Sequence, residues 1–416
     1  MCDIQDTHAK DSLGVKAIPV TEAVGTVLAH DITEIRPGEF KGRAFKKGHV
    51  VRQEDVCHLQ RLGKEHLFVL HMDDDEMHED DAAFALARAL MGHGVSMQGE
   101  PREGKINIVA DRDGLLRINK EALLRFNMLG EVMCATLHNN TVVKKDQIVG
   151  GTRAIPLVVK KKIVEEAVRI AEGSRGQGVK GSSEKTNHSL ESSNPRTLES
   201  SQGGVIEVKE LRKPRVGVII TGNEVYYGRI ADAFAPIITN KVKELDGEII
   251  GLYYAPDDEL YIEARLKELI NAGADLLITT GGMSVDPDDV TRFAIRNLGA
   301  EDITYGSAAL PGAMFLVAYL YRMQDTGCNP PLSPLSKGGI KEGYHESCIM
   351  HRESFAIPVL GIPACGMYHK TTVLDLILPR VLAGETIGRR ELAELGHGGL
   401  CLNCKECRYP VCPFGK

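Results

Sequence analysis

The segment ADLLITTGG, Ala274–Gly282, decides the fold of the C-terminal half of the chain. Its strand-forming part, Leu276–Thr279, is apolar almost throughout and is soon followed by a pair of glycines. Near-continuous apolar strands are typical of a parallel sheet that is buried on both faces. Two further segments have the same form, PRVGVIITG at Pro214–Gly222 and IPVLGIPACG at Ile357–Gly366. Together the three segments predict an α/β domain with a doubly wound, mostly parallel sheet.

Helical segments separate these strands, and a further strand is expected at Ile249–Tyr254. Asp257 or Asp258 is placed to cap the second helix, and Gly273 is placed to end it. The helices are expected around Ile238, Val242 and Leu245, around Ile262, Leu266, Leu269 and Ile270, and around Val373, Leu376 and Val381. We therefore place the α/β domain at residues 205–387.

The N-terminal half, 1–171, is expected to be a smaller mixed α+β region, which divides at about 1–71 and 72–171. Strands are expected at Ile18–Val20, Phe68–Leu70, Ile106–Ala110, Val132–Leu137 and Ile155–Val159, and helices around Val56–Leu62, at Ala82–Met91 and at Lys160–Ala171. Two stretches are rich in Ser, Gly and charge or Pro, at 172–204 and 324–352. Such segments bury too little apolar surface to offset their ordering entropy, so we expect a disordered linker and a disordered insert.

The composition excludes several classes of function. The 416-residue chain has a formal net charge of −7, so the whole molecule is not a cationic nucleic-acid binder. It contains no apolar run of about 18 residues, which argues against a transmembrane helix. Its first residues, MCDIQDTHAK, lack the apolar segment of a secretory signal. We therefore expect a cytoplasmic protein that binds neither nucleic acid nor a membrane.

Loops of small residues follow three of the predicted strands, at the edge where doubly wound sheets bind ligands. Small residues let the backbone approach a ligand closely, and a following helix N-terminus offers free N–H groups to an anion. This combination favours a phosphate. Taken singly, each loop is better explained by turn and helix-cap chemistry, but the position of all three loops at strand ends of one domain favours a ligand site. The candidate ligand-binding residues are Thr221, Gly222, Asn223, Thr280, Gly281, Gly282, Ser284, Gly361 and Pro363.

Carboxylates follow two of these loops. Asp286, Asp288 and Asp289 come shortly after Ser284, and Glu224 and Asp232 follow the first strand. Carboxylates beside a phosphate site commonly hold Mg²⁺. We therefore expect Mg²⁺ at this edge of the sheet.

Residues 214–385 resemble the molybdopterin-binding domain shared by molybdopterin molybdenumtransferases, plant and animal insertases, and molybdopterin adenylyltransferases. EAVGTVLAHDI, Glu22–Ile32, is also similar to the opening of the molybdenumtransferase N-terminal region. The motifs that carry the domain resemblance are TGNEV at Thr221–Val225, GRIAD at Gly228–Asp232, TTGGMSVDPDDVT at Thr279–Thr291, LPG at Leu310–Gly312 and PVLGIPACG at Pro358–Gly366.

This resemblance implies that the pterin dithiolene phosphate binds at Gly281, Gly282 and Ser284. It also adds Pro311 and Gly312 to the ligand site, and it makes Glu224, Asp232 and Asp289 the catalytic carboxylates. The chain departs from many molybdenumtransferases at four places. Those enzymes have an aspartate where this chain has Asn223, and Ser-Asn where it has Ala233-Phe234. They have a lysine where this chain has Leu310, and Gly-Asn-Pro where it has Ala364-Cys365-Gly366. The lost lysine removes a cation that would hold an anion.

Three functions remain open at this point. The first is Mg²⁺-dependent insertion of molybdate into adenylated molybdopterin, with release of AMP. The second is a non-catalytic molybdopterin carrier, sensor or insertion chaperone that serves a molybdoenzyme partner. The third comes from the competence-damage-inducible proteins, which share a related TGG…DD-T pattern and are associated with hydrolysis of nucleotide pyrophosphates. Association into a homo-oligomer is also left open.

Four of the ten cysteines lie in the last sixteen residues, at Cys401, Cys404, Cys407 and Cys412. Their spacing is typical of a metal site and suits either an iron–sulfur cluster or tetrahedral zinc. We expect one metal centre that supplies most of the folding free energy of this Cys-rich tail, 388–416. We also expect the tail to be dispensable for pterin binding.

Overall fold

A computed structural model describes residues 15–26, 28–36, 40–70, 74–173, 204–283, 290–321 and 356–415 of the chain. The chain divides into two compact units, Met1–Glu210 and Leu211–Lys416. The predicted insert at 324–352 lies outside the described residues, as does the predicted linker apart from 172–173 and 204.

The first unit consists of short strands and four helices in the described ranges. The strands are β1 Val15–Pro19, β2 Ile32–Arg36, β3 Phe40–Phe45, β4 His66–Leu70, β5 Glu76–His78, β6 Val95–Arg102, β7 Lys105–Ala110, β8 Gly114–Ile118, β9 Val132–Thr136, β10 Val142–Val143, β11 Ile148–Ala154, β12 Val158–Lys160 and β13 Ile206–Lys209. The helices are α1 Gln53–Arg61, α2 Glu79–Leu90, α3 Lys120–Asn127 and α4 Lys161–Gly173.

Several small sheets organise this unit, as expected for a mixed α+β region. β1 pairs with β4 and β2 with β3, and helix α1 buries Val56 and Leu59 in the core beside them. The largest sheet is antiparallel, in the order β6-β7-β11-β9. Helices α2, α3 and α4 contribute to a second core that contains Leu86, Phe126 and Val164.

Two predicted boundaries in this unit differ from the structure. β13 pairs antiparallel with β8, so residues 206–209 belong to the first unit and not to the domain predicted to begin at 205. The strand predicted at Ile155–Val159 begins only at Val158. Pro156 has no N–H for a sheet hydrogen bond, which accounts for the late start.

The second unit alternates strands and helices. The strands are β14 Arg215–Thr221, β15 Glu248–Ala255, β16 Leu276–Thr280, β17 Glu301–Tyr305, β18 Leu316–Tyr321 and β19 Ala356–Ile362. The helices are α5 Asn223–Tyr226, α6 Phe234–Glu244, α7 Glu259–Asn271, α8 Thr291–Asn297, α9 Val373–Leu382 and α10 Arg389–Glu394.

These strands form one six-stranded mixed sheet in the order β15-β14-β16-β19-β18-β17. The first four are mutually parallel, and β18 and β17 extend the sheet in antiparallel fashion. The sheet is therefore mostly parallel, as predicted, with an antiparallel edge that the sequence analysis did not anticipate.

Helices cover both faces of this sheet. Neighbouring strand residues point to opposite faces, so Ile278 packs in the core with α6 and α9 while Leu277 packs in the core with α7 and α8. Asp258, one of the two predicted caps, accepts a hydrogen bond from the Tyr261 N–H at the start of α7, with an N–O distance of 2.7 Å. The doubly wound arrangement is confirmed. No helix in the described ranges has both the length and the apolar character needed to cross a membrane.

We expect Phe315→Ala to destabilise the second unit by about 3–5 kcal/mol, because Phe315 is fully buried in the core on the α6 and α9 face. The control is Leu260→Ala, since the Leu260 side chain on α7 is 74% exposed and should change stability by no more than about 0.5 kcal/mol. Denaturant unfolding measures both. Equal losses for the two variants would contradict the assigned core.

Candidate functional site

The three predicted loops meet at one edge of the sheet in the second unit. In the strand register, Ile220 of β14 is opposite Thr280 of β16, and Thr280 is opposite Ile362 of β19. Because these strands are parallel, their carboxyl ends lie side by side. The structure therefore brings together the residues that follow Thr221, Thr280 and Ile362, as the sequence predicted.

Gly281 and Gly282 lie very close to Thr221 and Thr291 at this edge. Both have a positive φ, +76° and +55°, which disfavours any residue with a Cβ. A Cβ on Gly281 would lie 2.5 Å from the Thr221 carbonyl oxygen, and one on Gly282 would lie 2.4 Å from Thr291 Oγ1. Glycine is therefore required at both positions by backbone conformation and by space.

Threonine side chains join the two loops below these glycines. Thr221 Oγ1 donates to the carbonyl oxygen of Thr280 at 2.7 Å and lies 3.2 Å from the hydroxyl of Thr291, at the start of α8. In the described part of the chain, the buried hydroxyl of Thr280 has no hydrogen-bond partner. A buried hydroxyl without a partner is uncommon, and a bound polar ligand can supply one.

The predicted residues that complete this loop, Ser284, Asp286, Asp288 and Asp289, lie outside the described residues. Their roles as phosphate, Mg²⁺ and catalytic residues therefore stay predictions.

The first loop is tied to the loop after β15. The Asn223 N–H donates to the Asp257 carboxylate at 3.0 Å, and the Asp257 N–H donates to the Asn223 side-chain oxygen at 3.3 Å. Gly222, with φ of +137°, allows the chain to turn from β14 into α5. An aspartate at position 223 would place a second carboxylate beside Asp257, so asparagine suits this chain.

The two described carboxylates predicted to be catalytic have different environments. Glu224 is exposed on α5. The Asp232 carboxylate accepts from the N–H groups of Phe234 (2.8 Å) and Ala235 (2.9 Å), so it caps the start of α6. The Tyr254 hydroxyl donates to the same carboxylate at 3.2 Å. Burial and, after it, the negative charge of Asp232 raise the pKa of Tyr254.

The third loop begins at the end of β19. A Cβ on Gly361 would lie 2.7 Å from Met283 Sδ, so this glycine makes room for the buried Met283 that follows Gly282. Pro363 precedes a short 3₁₀ turn, Ala364–Met367. Burial raises the pKa of the Cys365 thiol in that turn.

The Leu310–Gly312 loop packs on the start of α9. Gly312 has a φ of +130°, and a Cβ there would lie 2.4 Å from Val373 Cγ1. The Ser307 hydroxyl donates to the Gly312 carbonyl oxygen at 2.8 Å. Leu310, which stands where many molybdenumtransferases have lysine, has a 55% exposed side chain.

The C-terminal tail also contacts this loop. The Leu310 N–H donates to the Gly399 carbonyl oxygen at 2.7 Å, and the Cys401 N–H donates to the Leu310 carbonyl oxygen at 2.8 Å. Cys407 Sγ lies 3.2 Å from the Thr371 hydroxyl, and this contact lowers the pKa of the Cys407 thiol.

The described structure does not show the predicted metal site at the four tail cysteines. All four are free thiols. Residues 401–415 are described throughout, and in the described residues no three His, Cys, Asp or Glu side chains are grouped as a metal site requires. The expectation that metal bonds fold the tail is therefore not supported. In the described structure the tail is held by backbone hydrogen bonds and has a buried side chain at Phe414.

Several residues of this site were not among those predicted from the sequence. Thr291, Asp257 and Tyr254 bind predicted site residues, and Val373 supports the Leu310–Gly312 loop. Thr291 ends the quoted TTGGMSVDPDDVT motif and could have been included. The other three are identifiable only once the loops are folded together.

Residues 217–383 match the family model of the probable molybdopterin binding domain, and residues 17–71 match a domain of unknown function. Curated relatives include a CinA-like protein of Mycobacterium avium, 39% identical over 89 residues, and one of Mycobacterium tuberculosis, 36% identical over 93 residues. These matches cover 20% and 21% of this chain and 20% and 22% of the relatives, so they span only about a fifth of the relatives' length.

Among solved structures, the chain is similar to the tungsten cofactor synthesizing protein MoaB of Pyrococcus furiosus, at 18% identity and a TM-score of 0.29, over 42% of this chain and 97% of that one. It is also similar to the molybdopterin biosynthesis Mog protein of Mycobacterium ulcerans, at 16% identity and a TM-score of 0.27, over 41% of this chain and 98% of that one. Residues 217–383 of the second unit are therefore similar to the probable molybdopterin binding domain, and the comparisons do not single out the molybdenumtransferases.

We expect Gly281→Ala to destabilise the second unit by at least about 1 kcal/mol more than Gly299→Ala. Both glycines have positive φ, +76° and +81°, but a Cβ on Gly299 meets nothing within 4 Å whereas one on Gly281 meets the Thr221 backbone. The difference between the variants therefore isolates the close contact from the backbone strain. Thermal and denaturant unfolding measure it, and indistinguishable stabilities would show that the contact is not tight.

Proposed function

We propose that the second unit binds a molybdopterin-type ligand at the carboxyl ends of β14, β16 and β19, with the ligand phosphate against the Gly281–Gly282 turn. The observation that carries this proposal is the pair of left-handed glycines packed on Thr221 and Thr291, because it brings bare backbone to this edge of the sheet. The unpartnered Thr280 hydroxyl beside it supports the proposal, as does the family match over residues 217–383.

Within this function, we propose that the chain catalyses Mg²⁺-dependent insertion of molybdate into adenylated molybdopterin, releasing AMP. Mg²⁺ prefers carboxylate oxygens, and Glu224, Asp232, Asp286, Asp288 and Asp289 are the candidate donors. The exposed Glu224 carboxylate is better suited to bind Mg²⁺ than the Asp232 carboxylate, because the Asp232 carboxylate already accepts three hydrogen bonds. The ion would neutralise phosphate charge as the P–O bond breaks.

The first test mixes the full chain with molybdopterin and, separately, with adenylated molybdopterin, molybdate and Mg²⁺. We expect saturable pterin binding, which Gly281→Ala should weaken, and AMP release above a protein-free control. Binding without AMP release would favour the carrier, sensor or chaperone function for a molybdoenzyme, which the loss of a lysine at Leu310 also favours. Absence of both would overturn the proposal.

A second enzymatic candidate follows from the CinA-like relatives. The resemblance to competence-damage-inducible proteins implies hydrolysis of a nucleotide pyrophosphate, and adenylated molybdopterin is itself a pyrophosphate. ADP-ribose with a divalent metal, assayed in parallel, separates the two. Cleavage of ADP-ribose without any dependence on molybdate would favour the pyrophosphatase.

Substitutions of Asp232 distinguish its role as a helix cap from a role in chemistry. Asn keeps one of the two oxygen atoms that accept from Phe234 and Ala235, so Asp232→Asn should lower the stability of the second unit by less than Asp232→Ala, which should lower it by about 1 kcal/mol. If the carboxylate holds Mg²⁺, both variants should lose AMP release. Full activity in Asp232→Asn would limit this residue to capping α6.

For the tail, we propose that Cys401, Cys404, Cys407 and Cys412 can bind either zinc or an iron–sulfur cluster. Metal and labile-sulfide analysis after anaerobic purification distinguishes these two centres.

A further inference from the structure

The first unit has an open groove on one side of its four-stranded antiparallel sheet. Helices α2, α3 and α4 pack on the other side of this sheet, in a core that includes Ile108 of β7 and Val149 of β11. The groove runs across β7, β11 and β9 and has a volume of about 470 Å³. Ligand pockets in proteins commonly measure about 300–1,000 Å³, so this groove has room for a small organic molecule.

Gly151 lies in the middle of the groove, inside β11. Its neighbours in the sheet are Asn107 of β7 and Ala135 of β9. Its φ lies outside the left-handed region, and a Cβ on it would meet Asn107 Oδ1 and the Ile106 carbonyl oxygen at 3.4 Å, an ordinary contact distance. Neither the backbone conformation nor the surrounding space therefore requires glycine. A glycine inside a strand weakens it, and such a glycine often marks a place where a ligand approaches the backbone closely.

Two cations lie at one end of the groove. Lys105 of β7 is directly opposite Arg153 of β11, and both side chains are exposed. In the ranges that the structure describes, no acidic side chain forms an ion pair with either of them. Like charges at opposite positions destabilise the pairing of two strands. A bound anion would remove this repulsion, and arginine is well suited to bind two oxygens of a carboxylate or a phosphate.

The rest of the groove is mostly apolar. Met133, Leu137 and Ile148 line it with exposed side chains. At the nearby edge of the sheet, the Asn127 side chain hydrogen-bonds to both the N–H and the carbonyl oxygen of Cys134 in β9, so these groups are not available to a further strand. The groove therefore suits a small molecule on the face of the sheet better than a peptide added to its edge.

We propose that this groove binds a small organic anion with a flat apolar body, such as an aromatic carboxylate or an aromatic phosphate. The anionic group binds Lys105 and Arg153. The flat body lies over Gly151, where the sheet has no side chain, and contacts Met133. All of these residues belong to the first unit, so the proposal does not depend on the molybdopterin-type ligand proposed for the second.

The test is isothermal titration calorimetry of the full chain with 2-naphthoate and with 2-naphthyl phosphate. We expect saturable binding of at least one of them, and much weaker binding of acetate, inorganic phosphate and 2-naphthol, which each lack either the apolar body or the anion. Lys105→Gln and Arg153→Gln should each weaken binding by about tenfold or more, since each removes a charge-assisted hydrogen bond. The matched control is Arg125→Gln, at an exposed arginine on α3, which should leave binding unchanged because α3 packs on the other side of the sheet.

Gly151→Val tests the groove itself. The valine side chain would occupy the space above the strand, so we expect loss of binding. Denaturant unfolding should show a stability equal to or above that of the native chain, because β-branched residues favour strands. If the valine variant does not fold, Gly151→Ala takes its place and should weaken binding. The proposal is overturned if neither naphthyl compound binds saturably, or if binding is unchanged in the Gly151, Lys105 and Arg153 variants.

Discussion

The contact of Gly281 and Gly282 with Thr221 and Thr291 constrains the whole candidate site. It requires β14 and β16 to end side by side, and it requires α8 to begin directly beneath the turn. The buried apolar strands meet the first requirement, because their side chains pack in the cores on both faces of the sheet. The position of the Gly281–Gly282 turn is therefore a consequence of core packing on both faces of the sheet rather than of the loops themselves.

The central strands were predictable because each is apolar along nearly its whole length, as Val216–Ile220 and Leu276–Thr279 are. β18, Leu316–Tyr321, is equally apolar, yet its direction could not be read from the sequence. Its neighbours in the sheet are β17 and β19, and β19 is separated from it along the chain by residues 322–355. Pairing direction depends on the path of such connections, which local periodicity does not encode. For the same reason no strand was predicted at β13, whose place in the first unit is shown only by its pairing with β8.

The parts of the site that depend on backbone geometry were predictable from the sequence. The parts that depend on side-chain chemistry were less predictable. A double glycine after a buried strand has few explanations, and the structure shows the close contacts that require it. A carboxylate at such a position has several explanations, because capping a helix and binding Mg²⁺ use the same oxygen atoms. Asp232 caps α6, Asp258 caps α7 and Asp257 binds Asn223, so three acids near this edge already have structural partners. Sequence spacing alone gives no means of separating these roles.

The tail shows a similar ambiguity between metal binding and docking. Its cysteine spacing predicts a metal centre, but in the described structure Tyr409 hydrogen-bonds to α9 and Phe414, after the last cysteine, is buried. In the described structure this docking positions the tail, and the backbone groups of Gly399 and Cys401 hydrogen-bond to Leu310. Cysteine spacing indicates neither contact, because both depend on backbone groups that any residue type provides. The support that the tail gives to the Leu310–Gly312 loop is therefore visible only in the folded chain.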